Sequence, residues 1–524
     1  NSNWAMELGD LDDYDVDACL WIGSPGIVGF TGVVNLLQGE ANPSGKLVDT
    51  YAKNSLSAPA ITYAQMKNTP EWANLDEVLE YCSDSDQYVS NYLIYAEDIY
   101  VGYKYYETRY EDTVLGNGNA DSIVGSSTGK AWNYNDEIAY PFGYGLSYTT
   151  FSQTLDGVEY DETTDTYNVK VTVTNTGDVA GKSVAEVYAQ TPYGDYEKEN
   201  NVEKSAVQVV GFDKTDILAP GASETLEIPV ERYLLASYDY TNAKGYILSE
   251  GDYYFAIGDD AHDALNNILA AKGYTTADGM DADGDDSLVG TYEQKEFDNT
   301  TYAKDAATGN EITNQFDYGN IQTYDDSYVY LTRNDWTGTW PIIYGEPNEK
   351  GRYNAEATEE FVQLSQNNIY QDDPDAEMPT TNSGDNINLI TMRGKDYDDE
   401  EWDAILDCLT VDEMVEMVRL GGWQTMAIDS ISKPMSSDQD GPAGISGELI
   451  MSDVDCMGYP NQELLAATWN KELALEFGKC IGEDGLSVNV QGWYAPGAGT
   501  HRTPLGGRNF EYYSEDTYLA GSMC

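Results

Sequence analysis

Two glycine-rich stretches late in the sequence place charged side chains on tight turns. The first is DGPAG, residues 440–444, where Gly441, Pro442 and Gly444 predict a tight loop that exposes the carboxylate of Asp440. A fixed carboxylate can accept two hydrogen bonds, as neighbouring hydroxyl groups of a sugar require. Alternatively, Asp440 accepts hydrogen bonds from its own backbone in an Asx-type turn. The residues alone leave both interpretations open.

The second stretch is GGRNFEYYSED, residues 506–516. Its two glycines allow an unusual turn, after which Arg508 presents a planar fork of N–H donors. A nearby carboxylate, such as Glu511 or Asp516, would hold this fork rigid and leave it able to bind hydroxyl groups. A purely structural ion-pair network is the alternative.

The overall charge excludes several classes of partner. Lys and Arg number 27 against 92 Asp and Glu, which gives a net charge of −65. A surface this acidic repels phosphate backbones and anionic lipids, so we expect neither nucleic acid nor a membrane surface as a partner. A neutral or cationic partner fits better.

Metal and cofactor chemistry finds little support in the sequence. The six cysteines include no C-x-x-C pair, which argues against zinc and iron–sulfur sites. The acidic stretch DADGDDSLVG, residues 281–290, is interpreted as a solvated loop, because Asp286 and Tyr292 occupy the positions where an EF-hand needs Gly and Glu. With two histidines, His262 and His501, a Ser-His-Asp hydrolase has few candidate bases. No metal site and no cofactor are predicted.

No membrane insertion is expected either. The most apolar stretch, ACLWIGSPGIVGFTGVVNLL (residues 18–37), is broken by Gly-Ser-Pro-Gly and predicts a short buried strand, a loop and a helix. The first residues are polar and show no signal peptide. The cell location stays open between the cytoplasm and the cell exterior.

The patterning divides the chain into four parts and predicts a multidomain α/β plus all-β protein. Residues 1–150 are interpreted as the C-terminal part of an α/β sandwich domain, and residues 151–258 as an all-β sandwich. In the latter, Tyr167, Val169, Val171 and Val173 alternate with polar residues, as in a half-buried strand. Residues 259–385 are predicted to be an acidic connector, and residues 386–524 return to helical and α/β patterning.

Helix signals are clearest in this last part. Trp402, Ile405, Leu406 and Leu409 recur at helical spacing and predict one apolar face. Thr410 and Glu413 form a capping box that predicts the start of the next helix.

Several long motifs together resemble glycoside hydrolase family 3, whose best-known members are β-glucosidases. DGPAG resembles the family's substrate-binding loop, and YAPGAGTHRTPLGGRNFEYYSEDTYLAG (residues 494–521) resembles its arginine motif. GEANPSGKL, residues 39–47, is similar to the end of the family's α/β sandwich domain. YPFGYGLSYTTF, residues 140–151, and the strands after it resemble the family's fibronectin-III-like domain.

The resemblance implies a rearranged domain order. The sandwich motifs come first here and the barrel-like domain comes last, as in one branch of the family. Residues 386–524 would then be the first half of a (β/α)₈-type barrel, which needs about 250 residues in full. We therefore expect a chain truncated at both ends, with the remainder of the same polypeptide or a second chain completing the barrel. A homo-oligomer is also compatible with the sequence.

The resemblance implies a retaining, exo-acting β-glucosidase that releases glucose from the non-reducing end through a covalent glycosyl-enzyme. Asp440 and Arg508 correspond to substrate-binding residues, whereas Ser446 stands where the family often has a second arginine. His501 and Arg502 are expected to brace the loop. The family's nucleophile Asp and acid/base Glu are expected to lie outside this chain, so no catalytic residue is assigned within it.

The expected partner is a β-linked oligosaccharide or another glycoside, and no cofactor is needed. Two alternatives stay open at this point. One is a non-catalytic carbohydrate-binding or cell-surface protein. The other is a xylosidase or arabinosidase of the same family.

Overall fold

The structure is a computed structural model and describes residues 16–63, 72–82, 95–324, 329–340, 356–366, 374–446 and 456–524.

The first part is helical around one short sheet. Its elements are α1 (Phe30–Gln38), β1 (Tyr51–Ala52), α2 (Pro59–Tyr63), α3 (Leu75–Tyr81), α4 (Tyr103–Leu115), α5 (Tyr134–Glu137) and β2 (Ile138–Tyr140), with β1 and β2 antiparallel. Helix α4 is buried on nearly all sides, and its polar side chains therefore need partners within the protein. Arg109, for example, is fully buried and donates to the backbone carbonyls of Ala120 and Val124.

The strand predicted at the start of this part is wrong. Residues 18–23 form no strand, and Ala18 to Leu20 are exposed. An extended apolar segment becomes a strand only where a second strand pairs with it, and no described strand pairs with this one. The predicted helix after the Gly-Ser-Pro-Gly turn is confirmed as α1.

The second part is a β-sandwich, as predicted. Its elements are β3 (Phe151–Asp161), β4 (Thr166–Asn175), β5 (Val184–Gln190), α6 (Asp195–Asn200), β6 (Gln208–Lys214), β7 (Ser223–Glu231), β8 (Ser237–Asp239), β9 (Gly245–Ile247) and β10 (Gly251–Gly258). One sheet has the strand order β3-β4-β7. In the other sheet β5 lies between β10 and β6, and a later strand of the chain pairs with the free edge of β10. The inward side chains predicted on β4 are confirmed, because Tyr167, Val169, Val171 and Val173 are all buried in the core between the sheets.

Residues 259–385, predicted to be a connector, also form helices and a strand and pack against the first part. They supply helix α7 (Ala261–Ala271), the edge strand β11 (Val289–Gln294), which pairs with β10, and helix α8 (Glu359–Gln366). Arg333 is buried and binds Glu111 at 2.9 Å and Asp112 at 2.6 Å, both on α4. Asp281, in the loop interpreted as solvated, instead accepts a hydrogen bond from Tyr110 and lies 3.1 Å from Nε2 of His262. The segment is thus packed onto the first part.

The last part contains helices around a small mixed sheet. Its elements are α9 (Glu401–Leu406), α10 (Val411–Leu420), β12 (Gln424–Thr425), β13 (Ser436–Asp440), α11 (Gln462–Ala466), α12 (Lys471–Val488), β14 (Gly492–Tyr494) and α13 (Thr517–Met523). β12 pairs antiparallel with β13, and β13 pairs parallel with β14. No closed barrel is present among the described residues, and the predicted half-barrel is not confirmed.

The helix signals of this part are mostly confirmed. Thr410 and Glu413 form the predicted capping box at the start of α10. On α9, Ile405 is buried as predicted, but Leu406 is exposed because its side of the helix contacts no described part of the core.

Trp469 joins the last part to the first two. Its side chain is fully buried, with its ring centroid 5.6 Å from that of Phe142 and 5.2 Å from that of Phe212. Its indole N–H donates to the carbonyl oxygen of Lys46 at 3.2 Å. The segment between α11 and α12 is therefore held against the first two parts through a shared core.

Candidate functional site

Asp440 is the last residue of β13 and lies at the carboxyl end of the parallel strand pair. Its register partner on β14 is Tyr494, so the DGPAG loop and the chain leading to Arg508 leave the sheet at the same edge. In open α/β sheets and in barrels, ligands bind at the carboxyl ends of parallel strands. The DGPAG loop therefore begins where such a site is expected.

The loop after Asp440 depends on glycine geometry. Gly441 has φ of +124°, and a Cβ at this position would lie 1.9 Å from the carbonyl oxygen of Gly444. The Asp440 carbonyl accepts the N–H of Ser446 at 2.7 Å, which closes the loop. One Asp440 carboxyl oxygen accepts the N–H of Gly441 at 2.8 Å. The local turn considered from the sequence thus forms, and it orients a half-buried carboxylate.

Arg508 lies in the loop of residues 501–516, called the arginine loop below. Its side chain is 69% exposed and forms an ion pair with Glu511. Of the two carboxylates considered as its partner, Glu511 is therefore correct. Asp516 instead caps α13 by accepting the N–H of Leu519 at 2.8 Å.

The charges around Arg508 favour its cationic form. The pKa of the Arg508 guanidinium is raised above its usual range by its hydrogen bond to Glu511, by the charges of Glu511 and Tyr512, and by the charge of Asp440. The Asp440 carboxylate supplies acceptors and the Arg508 guanidinium supplies donors, and both kinds of group suit a ligand rich in hydroxyl groups.

Two aromatic residues near Asp440 were not singled out from the sequence. The rings of Trp423 and Tyr494 meet edge to face with centroids 4.7 Å apart, and the Tyr494 side chain is largely exposed. On β14, Trp493 donates its indole N–H to the carbonyl oxygen of Gly441 at 2.9 Å and so supports the loop from below. The register between β13 and β14 brings these residues together, and a single sequence does not reveal that register.

His501 and Arg502 brace the arginine loop, as predicted. Nδ1 of His501 lies 2.7 Å from Oδ1 of Asp49, and both residues are buried. Arg502 forms an ion pair with buried Glu97, and its guanidinium carbon lies 4.0 Å from the centroid of the Tyr95 ring. Asp49 and Glu97 lie more than 400 positions earlier in the chain, so sequence spacing could not have indicated them.

The ionisation of His501 follows from this contact. Burial lowers the pKa of the imidazole, but the charge of Asp49 and the hydrogen bond to it outweigh burial and raise the pKa to about 9. The negative charges of Glu463 and Glu515 act in the same direction. His501 is therefore a cation at neutral pH.

A small cavity lies at this contact between the arginine loop and the first part. Its lining includes Thr50, Ser55, Tyr106, Arg502 and Glu515. Burial raises the pKa of the Glu515 carboxyl well above its usual range, and the charge of Asp49 adds to this. A carboxyl group in this state can donate as well as accept a hydrogen bond.

Metal ligands and membrane helices are not found in the described ranges. None of the residues in them form a cluster of three or more His, Cys, Asp or Glu side chains that could hold a metal ion. Nor does any helix in these ranges have the length and apolar character needed to cross a membrane.

Two family models match the chain. Residues 1–103 match the glycosyl hydrolase family 3 C-terminal domain, and residues 183–261 match the fibronectin type III-like domain. These matches confirm the α/β domain and the β-sandwich expected for the first two parts. The matched α/β domain precedes the matched β-sandwich in the chain.

Similar proteins carry β-glucosidase names. Beta-glucosidase A of Butyrivibrio fibrisolvens is 27% identical over 98% of this chain and 54% of its own length. Beta-glucosidase of Ruminococcus albus is 27% identical over 99% of this chain and 44% of its own length. The chain thus spans about half the length of the curated relatives it matches.

A solved β-glucosidase of Paenibacillus barengoltzii shares the fold. It aligns with a TM-score of 0.61 and 24% identity, covering 95% of this chain and 45% of its own. In sequence the chain is therefore similar to β-glucosidases, and its residues 1–103 match the C-terminal domain of glycosyl hydrolase family 3.

Proposed function

We propose that the protein is a retaining, exo-acting β-glucosidase that releases glucose from the non-reducing end of β-linked glycosides. Asp440 and Arg508 bind the hydroxyl groups of the terminal sugar, and residues 386–524 belong to the barrel-like domain that surrounds it. The observation that carries the proposal is the position of Asp440 at the carboxyl end of β13, in a parallel strand pair whose other strand, β14, leads on to the loop that holds Arg508. The names of the relatives support the choice of substrate.

The proposed mechanism assigns binding roles to the side chains that the structure describes. The Asp440 carboxylate accepts hydrogen bonds from sugar hydroxyls, while the Arg508 guanidinium, oriented by Glu511, donates to them. Such bonds accelerate the reaction to the extent that they strengthen as the sugar gains oxocarbenium character. Retention requires a nucleophilic carboxylate and an acid/base carboxyl about 5 Å apart, and neither role is assigned to a residue named here.

The proposal is tested with nitrophenyl glycosides. We expect this chain, together with the polypeptide that supplies the nucleophile and the acid/base, to hydrolyse 4-nitrophenyl β-D-glucoside faster than the β-D-xyloside and the α-L-arabinofuranoside. Proton NMR of the first product should show β-glucose, and cellotriose should yield glucose and cellobiose. First formation of α-glucose would contradict retention, whereas internal cleavage of longer substrates would contradict exo action.

The same experiment addresses the alternative functions. A faster reaction with the xyloside or arabinoside would assign the protein to another sugar. Binding of glucose without turnover of any of these substrates, by this chain together with the polypeptide that completes it, would favour a non-catalytic carbohydrate-binding protein.

A further inference from the structure

A single buried carboxylate closes the base of the arginine loop. Asp49 lies 2.7 Å from Nδ1 of His501 and accepts the backbone N–H of Glu515 at 2.9 Å. The backbone N–H of His501 also donates to the carbonyl oxygen of Ser514 at 3.0 Å. Both ends of the loop therefore meet at one side chain that belongs to the first part of the chain.

We propose that Asp49 is a positioning residue for the sugar site, acting through the arginine loop. This inference rests on the proposed function. Asp49 is only 1% exposed, so its carboxylate is placed to hold the loop rather than to touch a sugar. Its partners are a histidine kept cationic and a backbone amide, and a carboxylate bound in this way is geometrically well defined.

Neighbouring residues fix the same end of the loop. Oε1 of Glu515 accepts the hydroxyl of Thr50 at 2.7 Å and the N–H of Tyr103 at 2.8 Å. Gly102 has φ of +56°, and a Cβ there would lie 2.0 Å from the carboxyl carbon of Glu515. The backbone of the first part is therefore shaped to receive this carboxyl group.

The position of Arg508 relative to Asp440 depends on this docking. Asp440 is placed by the β13–β14 pair, whereas Arg508 lies within a loop whose two ends are held on Asp49. The exposed Arg508 side chain is oriented by Glu511, which belongs to the same loop. A shift at the base of the loop would therefore move donor and acceptor apart, and small displacements of binding groups have large effects on affinity.

The test is the affinity for D-glucose, measured by isothermal titration calorimetry. Asp49→Asn removes the charge and weakens the docking, and we expect the dissociation constant to rise about tenfold. The matched control is Asp239→Asn in the sandwich. Asp239 is also a fully buried carboxylate that accepts backbone N–H groups, here from Thr241 and Ala243. This control should lose stability and keep its glucose affinity.

A spectroscopic signature accompanies the change in affinity. The chain has two histidines, so proton NMR can follow His501 once His262→Gln has assigned the other ring. In Asp49→Asn, the pKa of His501 should fall from about 9 toward its usual value. If Asp49 contributed to stability alone, the folded Asp49→Asn variant would bind glucose with the wild-type affinity. It would then not differ from the Asp239→Asn control in glucose affinity.

A milder variant covers the case in which Asp49→Asn does not fold. Thr50→Val keeps the side-chain shape and removes the hydrogen bond to Glu515, and should weaken glucose binding about threefold. If the wild type binds glucose and both variants bind it equally well, the positioning role is wrong while the proposed function stands. If the wild type binds no sugar and hydrolyses none, the proposed function fails and this inference fails with it.

Discussion

His501 and Asp49, which lie 452 positions apart in the sequence, form a buried ion pair with Nδ1 and Oδ1 separated by 2.7 Å. This contact joins the arginine loop to the first part of the chain. His501 belongs to the arginine motif, whereas Asp49 lies in the segment that matches the family's C-terminal domain. The pair therefore links the two halves of the sequence that carry the family resemblance.

The His501–Asp49 pair should make stability depend on pH. Because the folded-state pKa of about 9 lies above the unfolded value of 6.5, the contribution is fully present below pH 6.5. It is lost as pH rises through about 9. Urea unfolding of the wild type and His501→Gln should differ by about 3 kcal/mol at low pH and converge at alkaline pH.

His262→Gln provides a control for this prediction. His262 lies between Glu107 and Asp281, and these contacts outweigh burial and raise its pKa to about 10. The difference in free energy of unfolding between the wild type and His262→Gln should therefore disappear at a pH about one unit higher than the difference between the wild type and His501→Gln. A constant difference between His501→Gln and the wild type across the whole range would show that His501 is not a cation in the folded protein.

Arg333 should be necessary for the packing of residues 259–385 onto α4. Arg333→Met leaves Glu111 and Asp112 buried without their shared cation, and breaking such a network costs about 3–5 kcal/mol. Thermal and chemical unfolding measure this loss. Arg393→Met, at an exposed arginine, should change the free energy of unfolding by less than about 0.5 kcal/mol. Equal stability of the two variants would contradict the buried network.

Trp469 should hold the last part of the chain against the first two. Trp469→Ala removes a fully buried ring that packs on Phe142 and Phe212, at a cost of about 3–5 kcal/mol. Leu475→Ala, at an exposed position on α12, is the matched control and should be close to neutral. Limited proteolysis should cut Trp469→Ala faster between the parts, and an unchanged digestion pattern would argue against the shared core.

Local patterns in the sequence predicted the elements that form from local interactions. The alternation on β4 was sufficient to predict a strand because the side chains of a half-buried strand repeat every two residues. The capping box was sufficient to predict the start of α10 because Thr410 and its partner Glu413 are three residues apart. The expected strand at residues 18–23 failed because a strand also needs a neighbour, which apolar composition does not supply.

The candidate site was predictable only in part for the same reason. Asp440 and Arg508 stand in long motifs, and the glycines beside them indicate the turns that expose them. Asp49, Glu97 and Tyr494 reach the site through tertiary contacts and strand register, which a single sequence does not contain. The structure adds these residues and shows that Arg508 pairs with Glu511.

The central claim is that Asp440 and Arg508 bind a sugar, and calorimetric titration with D-glucose tests it most directly. Removing the charge in Asp440→Asn, or the bidentate fork in Arg508→Lys, should raise the dissociation constant about tenfold to a hundredfold. Asp403→Asn, an exposed carboxylate on α9, should bind glucose as the wild type does. If both site variants bind glucose with the wild-type affinity, Asp440 and Arg508 do not form the sugar site.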